Sequence, residues 1–444
     1  MQTLALFRSF DRPIQVAVLN MLANNVGFYM LVPFLAGYMA HDLGMALSMV
    51  GLVVGIRSLS QQGASVIGGS IADRIGYKQA IVIGSVFRTV AFGLFGFAFE
   101  PVGMIVGAIL TGFGGALLSP AMRAYMAQEA GPRRVEAFAL LDVTMHGGTL
   151  LGPIIGALLI GVDFPLVCFG AAGVYILVTL LQLRYLPSQA AAESMGGQSM
   201  LSSWGEPLRN RPFVYFALAA LGYFFLYNQI YLGLPLEVER LTGSGGSIGI
   251  LFTMLAVVGI FGQVPVTNMA RASMRPAMSI AVGLLVMGLA FVPLLLTASV
   301  LPVSDRVVAD WLRAGDLPAP HMLVSSLTVG VNLLPIALCS LLLIGGQLLV
   351  SPFVASTIAT LSGGRLVGTY FGMHALVQGV GAALGNFAGG SAFELARVSA
   401  YPGLPWMLMV VVGVVCAASM VVLDRLGLLG PRAPRERTVV SAGT

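Results

Sequence analysis

Few residues in this chain could do chemistry, and they lie inside long apolar runs. Asp142 and His146 are four residues apart, so on a helix both side chains face one way. Counted from Glu136, they stand about 9 and 15 Å along that helix. Asp142 is the one carboxylate well inside a run; Glu100, Asp163, Glu237 and Glu394 fall at predicted run ends. Burial drives a carboxyl toward its neutral form and a nearby cation pulls it back. That tension suits a group that takes up a proton on one side of a membrane and releases it on the other. Alternatively, Asp142 neutralises Arg88 or Arg123 permanently. A second set is neutral and aromatic: Asn24 and Asn25, Arg57 with Gln61 one turn on, Arg123, Tyr223 with Tyr227 one turn on, then Asn228 and Gln229. These suit a cavity for amphipathic small molecules, or they hold helices together by interhelical hydrogen bonds. Because Arg57 lies mid-run and the first and seventh runs lack an acid before Glu237, neutral, zwitterionic or anionic ligands are expected over permanent cations.

A third set is charged and lies between two runs: Gly68-Gly69-Ser-Ile-Ala-Asp73-Arg74-Ile-Gly76-Tyr77-Lys78. Glycines suit a tight turn, and Asp73 can accept hydrogen bonds or cap a helix start. Arg74 and Lys78 can pair with Glu129 or Glu136, forming a charge latch that holds one conformation and releases in another. The plainer alternative is a basic turn that only sets topology.

The elements that carry these residues follow from composition. Of 444 residues, 57% are hydrophobic and 9% charged, with mean hydropathy +0.91. A soluble domain carries roughly a quarter charged residues, so this is an integral membrane protein. Runs of about 20 apolar residues span a bilayer. Twelve are predicted, at 14–39, 48–71, 79–99, 102–127, 136–161, 164–186, 212–236, 246–269, 276–298, 333–360, 368–394 and 404–424. The first is retained, since the N-terminus lacks a cleavable signal pattern. Fifteen arginines and lysines collect on one face and four on the other, which makes the first face and both termini cytoplasmic.

The halves repeat. Ser119-Pro120 recurs as Ser351-Pro352, Gly148, Gly152 and Gly156 as Gly381, Gly385 and Gly389, and Arg12-Pro13 as Arg211-Pro212. The expected layout is a six-helix bundle at 1–186, a linker at 187–211, a second bundle at 212–430 with an outer insertion at 299–332, and a tail at 431–444. The insertion reads as a solvated amphipathic segment. Cys168, Cys339 and Cys416 sit in apolar runs and read as packing residues. No phosphate loop, HExxH or Cys-x-x-Cys pattern occurs, so neither ATP drive, metal nor cofactor is expected. Gly245-Gly246-Ser247-Ile248-Gly249 fits a hydrolase elbow by spacing alone, but it opens a membrane helix and lacks the strand–turn–helix setting.

The Gly69, Asp73, Arg74, Gly76, Lys78 segment resembles the G-x-L-A-D-R-x-G-R-K loop of the major facilitator superfamily, with Tyr77 where that family usually has Arg. Gly148, Gly152, Pro153 and Gly156 resemble the G-x-x-x-G-P-x-x-G-G motif associated with antiporters of that family, with Ala157 replacing the last glycine. Small residues and a proline kink let such a helix pack closely and act as a pivot between the halves. The family often has an arginine where this chain has Ala108. The stretches at 55–63, 99–101 and 114–120 are similar to MdtH-type bacterial multidrug exporters. The resemblance implies an all-α membrane protein of twelve helices in two six-helix repeats, not an enzyme, working as a monomer in the bacterial inner membrane. Its partners would be protons, lipid and a small-molecule substrate, with no nucleic acid. Proton-coupled export of amphipathic compounds is the function it implies; a transporter dedicated to one polar metabolite or siderophore is the alternative.

Overall fold

The computed structural model describes residues 2–45, 47–97, 100–160, 163–187, 200–242, 248–300, 302–315, 318, 320–399 and 401–429. Residues 188–199 of the linker, the 431–444 tail and the Gly245–Ser247 segment lie outside the described residues. The chain opens with α1 (Gln2–Arg8) and α2 (Arg12–Gly37), the latter continued by a π-turn at Tyr38–Asp42. The second predicted span is two helices, α3 (Leu47–Gly63) and α4 (Ser65–Ile75), broken at Ala64. Then come α5 (Tyr77–Phe97), α6 (Pro101–Glu129), α7 (Arg134–Ile160) and α8 (Phe164–Tyr185). The linker carries α9 (Met200–Arg209).

The second half runs through α10 (Arg211–Tyr227), α11 (Gly233–Thr242), α12 (Ile248–Ser273), α13 (Pro276–Leu289) and α14 (Val292–Thr297). After α15 (Asp305–Ala314) follow α16 (His321–Leu361), α17 (Val367–Val398) and α18 (Leu404–Arg425). Among the described residues, ten helical runs are long and apolar enough to cross a membrane. The two that fall outside that set are α3–α4, which carries Arg57, Gln61 and Gln62, and the glycine-rich α17. These two pack against each other, chiefly through α4 and α17.

Glycine spacing sets the tightest packing. In α7, a Cβ at Gly152 would come within 2.6 Å of Tyr29 Cβ, and one at Gly148 or Gly156 would strike Asn25 or the Met30 carbonyl of α2. In α17, Gly381 and Gly385 face the Leu221 and Phe225 carbonyls of α10, at 2.8 and 2.6 Å from an added Cβ. The two stripes therefore do the same work in each half, fastening α7 to α2 and α17 to α10. This corrects the expectation for Gly148, Gly152 and Gly156. Helix α7 does touch α12 and α16 of the other half, but its glycines face its own half.

The outer insertion differs from a purely solvated segment. Helix α16 begins at His321, a dozen residues before the predicted span, because no breaker follows Pro320 at its N-cap. Within it Asn332 is clasped to Val303, donating to its carbonyl at 3.0 Å and accepting from its N–H at 2.9 Å. Of α15, Val308 is buried and Trp311 is 55% exposed.

Candidate functional site

The Asp73 segment is not a loop. Gly68 and Gly69 lie within α4, and only Gly76, at φ 94°, makes the turn into α5. The two glycines serve close packing instead: a Cβ on Gly68 would strike the Ala116 carbonyl of α6, and one on Gly69 the Gly368 carbonyl of α17. Asp73 is 2% exposed and reaches across to the start of α17. Its Oδ1 accepts from the Gly368 N–H at 2.8 Å, and its Oδ2 from the Thr369 N–H and Oγ1, each at 2.7 Å. Oδ1 also accepts from the Tyr77 hydroxyl at 2.9 Å, so the tyrosine at the family's usual arginine position supplies a neutral donor. A carboxylate on free N–H groups at a helix N-terminus is favoured by the helix dipole as well as by each bond. The turn that aims those N–H groups is tight: Gly363, Gly364 and Leu366 have φ of 60°, 79° and 51°. For Leu366 the left-handed region is strained.

Further contacts join the halves at this arginine-rich end. Ser65 Oγ donates to the Gly372 carbonyl at 3.0 Å, and Ser70 and Thr369 share a hydroxyl bond of 3.2 Å. Glu136 of α7 pairs with Arg271 of α12 and with Arg133 at 2.7 Å. Glu136 is thus not the partner of Lys78, whose Nζ donates to the Leu183 carbonyl at 3.0 Å. Arg74 occupies the last turn of α4. From the linker, Trp204 Nε1 donates to Ser70 Oγ at 2.9 Å. The arginine-rich end is closed.

Above this closure lies a cavity of about 240 Å³ between the halves. Its wall includes Gln62, Arg123, Tyr223, Tyr227, Asn228 and His374. A smaller one of about 70 Å³ adjoins it, walled by Tyr29, His146, Tyr227 and Tyr231 among others. Tyr223 and Tyr227 stack at 6.0 Å on the wall, and Asn228 Nδ2 donates to Asn386 Oδ1 at 2.7 Å. Beside the wall, Asp142 is 2% exposed, with Arg123 as its nearby cation and Ser351 of α16 near it across the interface. His146 packs its ring on Gly259 of α12, 2.5 Å from where a Cβ would sit. Asp142 Oδ2, His146 Nε2 and His374 Nδ1 have no hydrogen-bond partner among the described residues.

Other expected cavity residues are placed elsewhere. Arg88 Nη1 donates to Asn24 Oδ1 at 3.2 Å, so Asn24 is buried in the first half and Arg88 is not the partner of Asp142. Asn25 Nδ2 reaches Thr144 Oγ1 at 3.3 Å between α2 and α7. Gln229 is fully buried and donates to the Gly385 carbonyl at 3.0 Å. These three are interhelical ties. Arg57 is not on either wall: its Nη1 lies 3.4 Å from Gln61 Oε1 and its guanidinium 5.5 Å from the Phe28 ring centre, with Phe28 packed in turn on Tyr29. Residues the sequence reading passed over include Gly368, Thr369 and Ser351. Only Ser351 carried a signal, as one half of the repeated Ser-Pro pair.

Two packed helical halves enclose a central cavity closed at the arginine-rich end, and the family and relatives that match make the chain a transporter, not an enzyme. The Major Facilitator Superfamily profile matches residues 17–386, and the chain belongs to that family. An MFS-type transporter of Mycobacterium tuberculosis strain H37Rv, itself uncharacterized, is 37% identical over 422 residues, covering 95% of each chain. The multidrug resistance protein MdtH of Klebsiella pneumoniae is 28% identical over 389 residues, covering 87% of this chain and 88% of its own. Among solved structures, the Escherichia coli fucose:proton symporter FucP superposes with TM-score 0.68 at 14% identity, over 93% of this chain and 98% of its own. The human organic anion transporter MFSD10 gives 0.65 at 15%, over 92% and 99%. At such identities these two likenesses describe the fold alone.

Proposed function

We propose that this chain is a proton-coupled exporter of amphipathic small molecules, working by alternating access in a bacterial inner membrane with its arginine-rich face and termini cytoplasmic. The observation that carries the reading is the Asp73 carboxylate seated on the N-terminus of α17, bridging the halves beneath a central cavity. A contact between two bodies that must separate for the cavity to open toward the cytoplasm is a conformational latch. The arginine excess on this face supports the orientation, and the MdtH relatives support the substrate class.

Proton coupling is assigned to Asp142 with His146 nearby. Asp142 lies near Arg123 on its own half and Ser351 on the other, so opening the interface changes its surroundings and its proton affinity together. The 1–186 and 212–430 bundles are the moving bodies. The test is uptake of a compound panel into inverted vesicles under an imposed pH gradient. Accumulation that collapses with the gradient supports the reading; gradient-independent equilibration refutes the coupling. The modest volume of the main cavity and the polar groups Gln62, Arg123, Asn228 and His374 on its largely apolar wall favour a second reading, a carrier for one polar metabolite, which the panel separates by its breadth.

A further inference from the structure

Arg57 and Arg88 stand as neighbouring charges inside the first half, with the same aromatic ring between them. The Arg88 guanidinium carbon lies 4.9 Å from the Phe28 ring centre and that of Arg57 lies 5.5 Å from it. Arg88 is 5% exposed and its polar partners are neutral, Asn24 and the Tyr175 hydroxyl at 2.9 Å, while its Nε has no partner among the described residues. Arg57 makes long bonds to neutral groups, 3.4 Å to Gln61 and 3.2 Å to Ser58 Oγ. The mid-span carboxylate that could have balanced them, Asp142, is engaged by Arg123. Charge inside a bilayer is expensive, and where it is retained without an acid it marks a ligand path. Arg57 stands one ring behind that path: Phe28, on which its guanidinium packs, meets Tyr29 edge to face with ring centres 5.3 Å apart, and Tyr29 is a wall residue of the smaller cavity.

We propose that Arg57 docks a carboxylate or equivalent anionic group on the transported molecule, and that Arg88 is a fixed positioning charge behind it. The inference rests on the export reading and names the substrate class. A guanidinium presents a planar fork of donors that matches a carboxylate two bonds at a time. Phe28 holds the fork by its ring face, and a carboxylate exchanges the long bonds to Gln61 and Ser58 for shorter charge-assisted ones. Asn24 and Tyr175 fix Arg88, and Gly115 keeps α6 close enough that an added Cβ would stand 2.7 Å from Arg88 Nη2. The substrate's aromatic or apolar body then lies along Tyr29, Tyr227 and Tyr231.

The experiment uses the full chain in nanodiscs and a panel of aromatic carboxylates, each with its methyl ester and a matched quaternary ammonium compound. The acids are expected to bind about tenfold or more tighter than their esters and cations, the worth of a charge-assisted bond pair. R57Q is expected to bring acid and ester within about twofold while leaving ester affinity and thermal unfolding unchanged, and R57K to keep part of the preference. Equal binding of acids and esters, preference for the cations, or selectivity unaltered in R57Q overturns the proposal. Efflux of the same panel from vesicles is read separately. Acid-selective binding without gradient-driven efflux refutes export and leaves this inference standing; efflux without acid selectivity does the reverse.

Discussion

Replacing Asp73 with asparagine is the sharpest test of the latch. In the closed form the carboxylate accepts four hydrogen bonds, three of them from the first residues of α17. An amide of the same shape offers one acceptor oxygen, and its NH₂ group faces donors instead of acceptors. About two of the four donors then lose their partner, at about 1–3 kcal/mol for each buried donor left unsatisfied. The helix-dipole contribution of the negative charge, about 0.3–1 kcal/mol, is lost as well. Against this, asparagine avoids the desolvation that a carboxylate suffers on entering the closed interface, which offsets several kcal/mol. The net destabilisation of the closed form relative to the open one is about 1–3 kcal/mol, or roughly a 5- to 150-fold shift in the equilibrium. Spin labels at the exposed positions Gln79 and Thr360 report it as a long-distance population absent from the parent. Transport should fall sharply with expression and ligand binding near normal. If Asp73→Asn leaves both the distance distribution and transport unchanged, the carboxylate is topological and the latch reasoning is wrong.

Tyr77→Phe removes one of the four donors and, within the first half, the acceptor of a long bond from Gln128 Nε2, so the same labels should show a shift of roughly tenfold or less; a shift as large as that of Asp73→Asn would contradict the bond inventory. Gly372→Ala puts a methyl against the Ser65 carbonyl across the interface, so it should depopulate the closed form while Tm holds. Gly152→Ala puts one against α2 inside a single half, so it should lower stability by about 1–3 kcal/mol with the open–closed ratio unmoved; unfolding scans beside distance measurements separate the two. Asp142→Asn should abolish gradient-driven efflux yet keep substrate binding and downhill exchange, and His146→Ala should move the pH optimum. Continued uphill transport by Asp142→Asn would place coupling elsewhere.

Helix positions and the repeat were legible because hydropathy and small-residue spacing are local signals. Gly148, Gly152 and Gly156 announced a close helix contact, but spacing carries no azimuth, and the choice of α2 as the partner comes only from packing. That the Asp73 segment makes a polar contact was legible by composition, whereas its partner was not. The acceptor site is made of the backbone N–H groups of Gly368 and Thr369, and a free N–H at a helix start leaves no mark in residue type. Charge pairing misled for a related reason. Lys78 and Glu136 are complementary by sign, yet Glu136 is taken by Arg271, a residue 135 positions away. Asn24 and Gln229 look alike to Asn228 in sequence, and only burial tells an interhelical tie from a cavity wall.

The linker contact has an optical consequence. The chain holds three tryptophans, at 204, 311 and 406. Trp406 is 2% exposed among aromatic rings and Trp311 lies on the outer insertion, so neither adjoins the latch. Trp204 alone sits there, its indole N–H on Ser70 while the next residues of the linker are tied to the other half through Asn210 and the Tyr370 hydroxyl at 2.9 Å. Parting the halves must break the indole's bond or carry it into water, and either event shifts indole emission to the red. With Trp311 and Trp406 replaced by phenylalanine, the intrinsic fluorescence of unlabelled protein becomes a clock for the gate, readable in a stopped-flow cell as substrate or acid is mixed in.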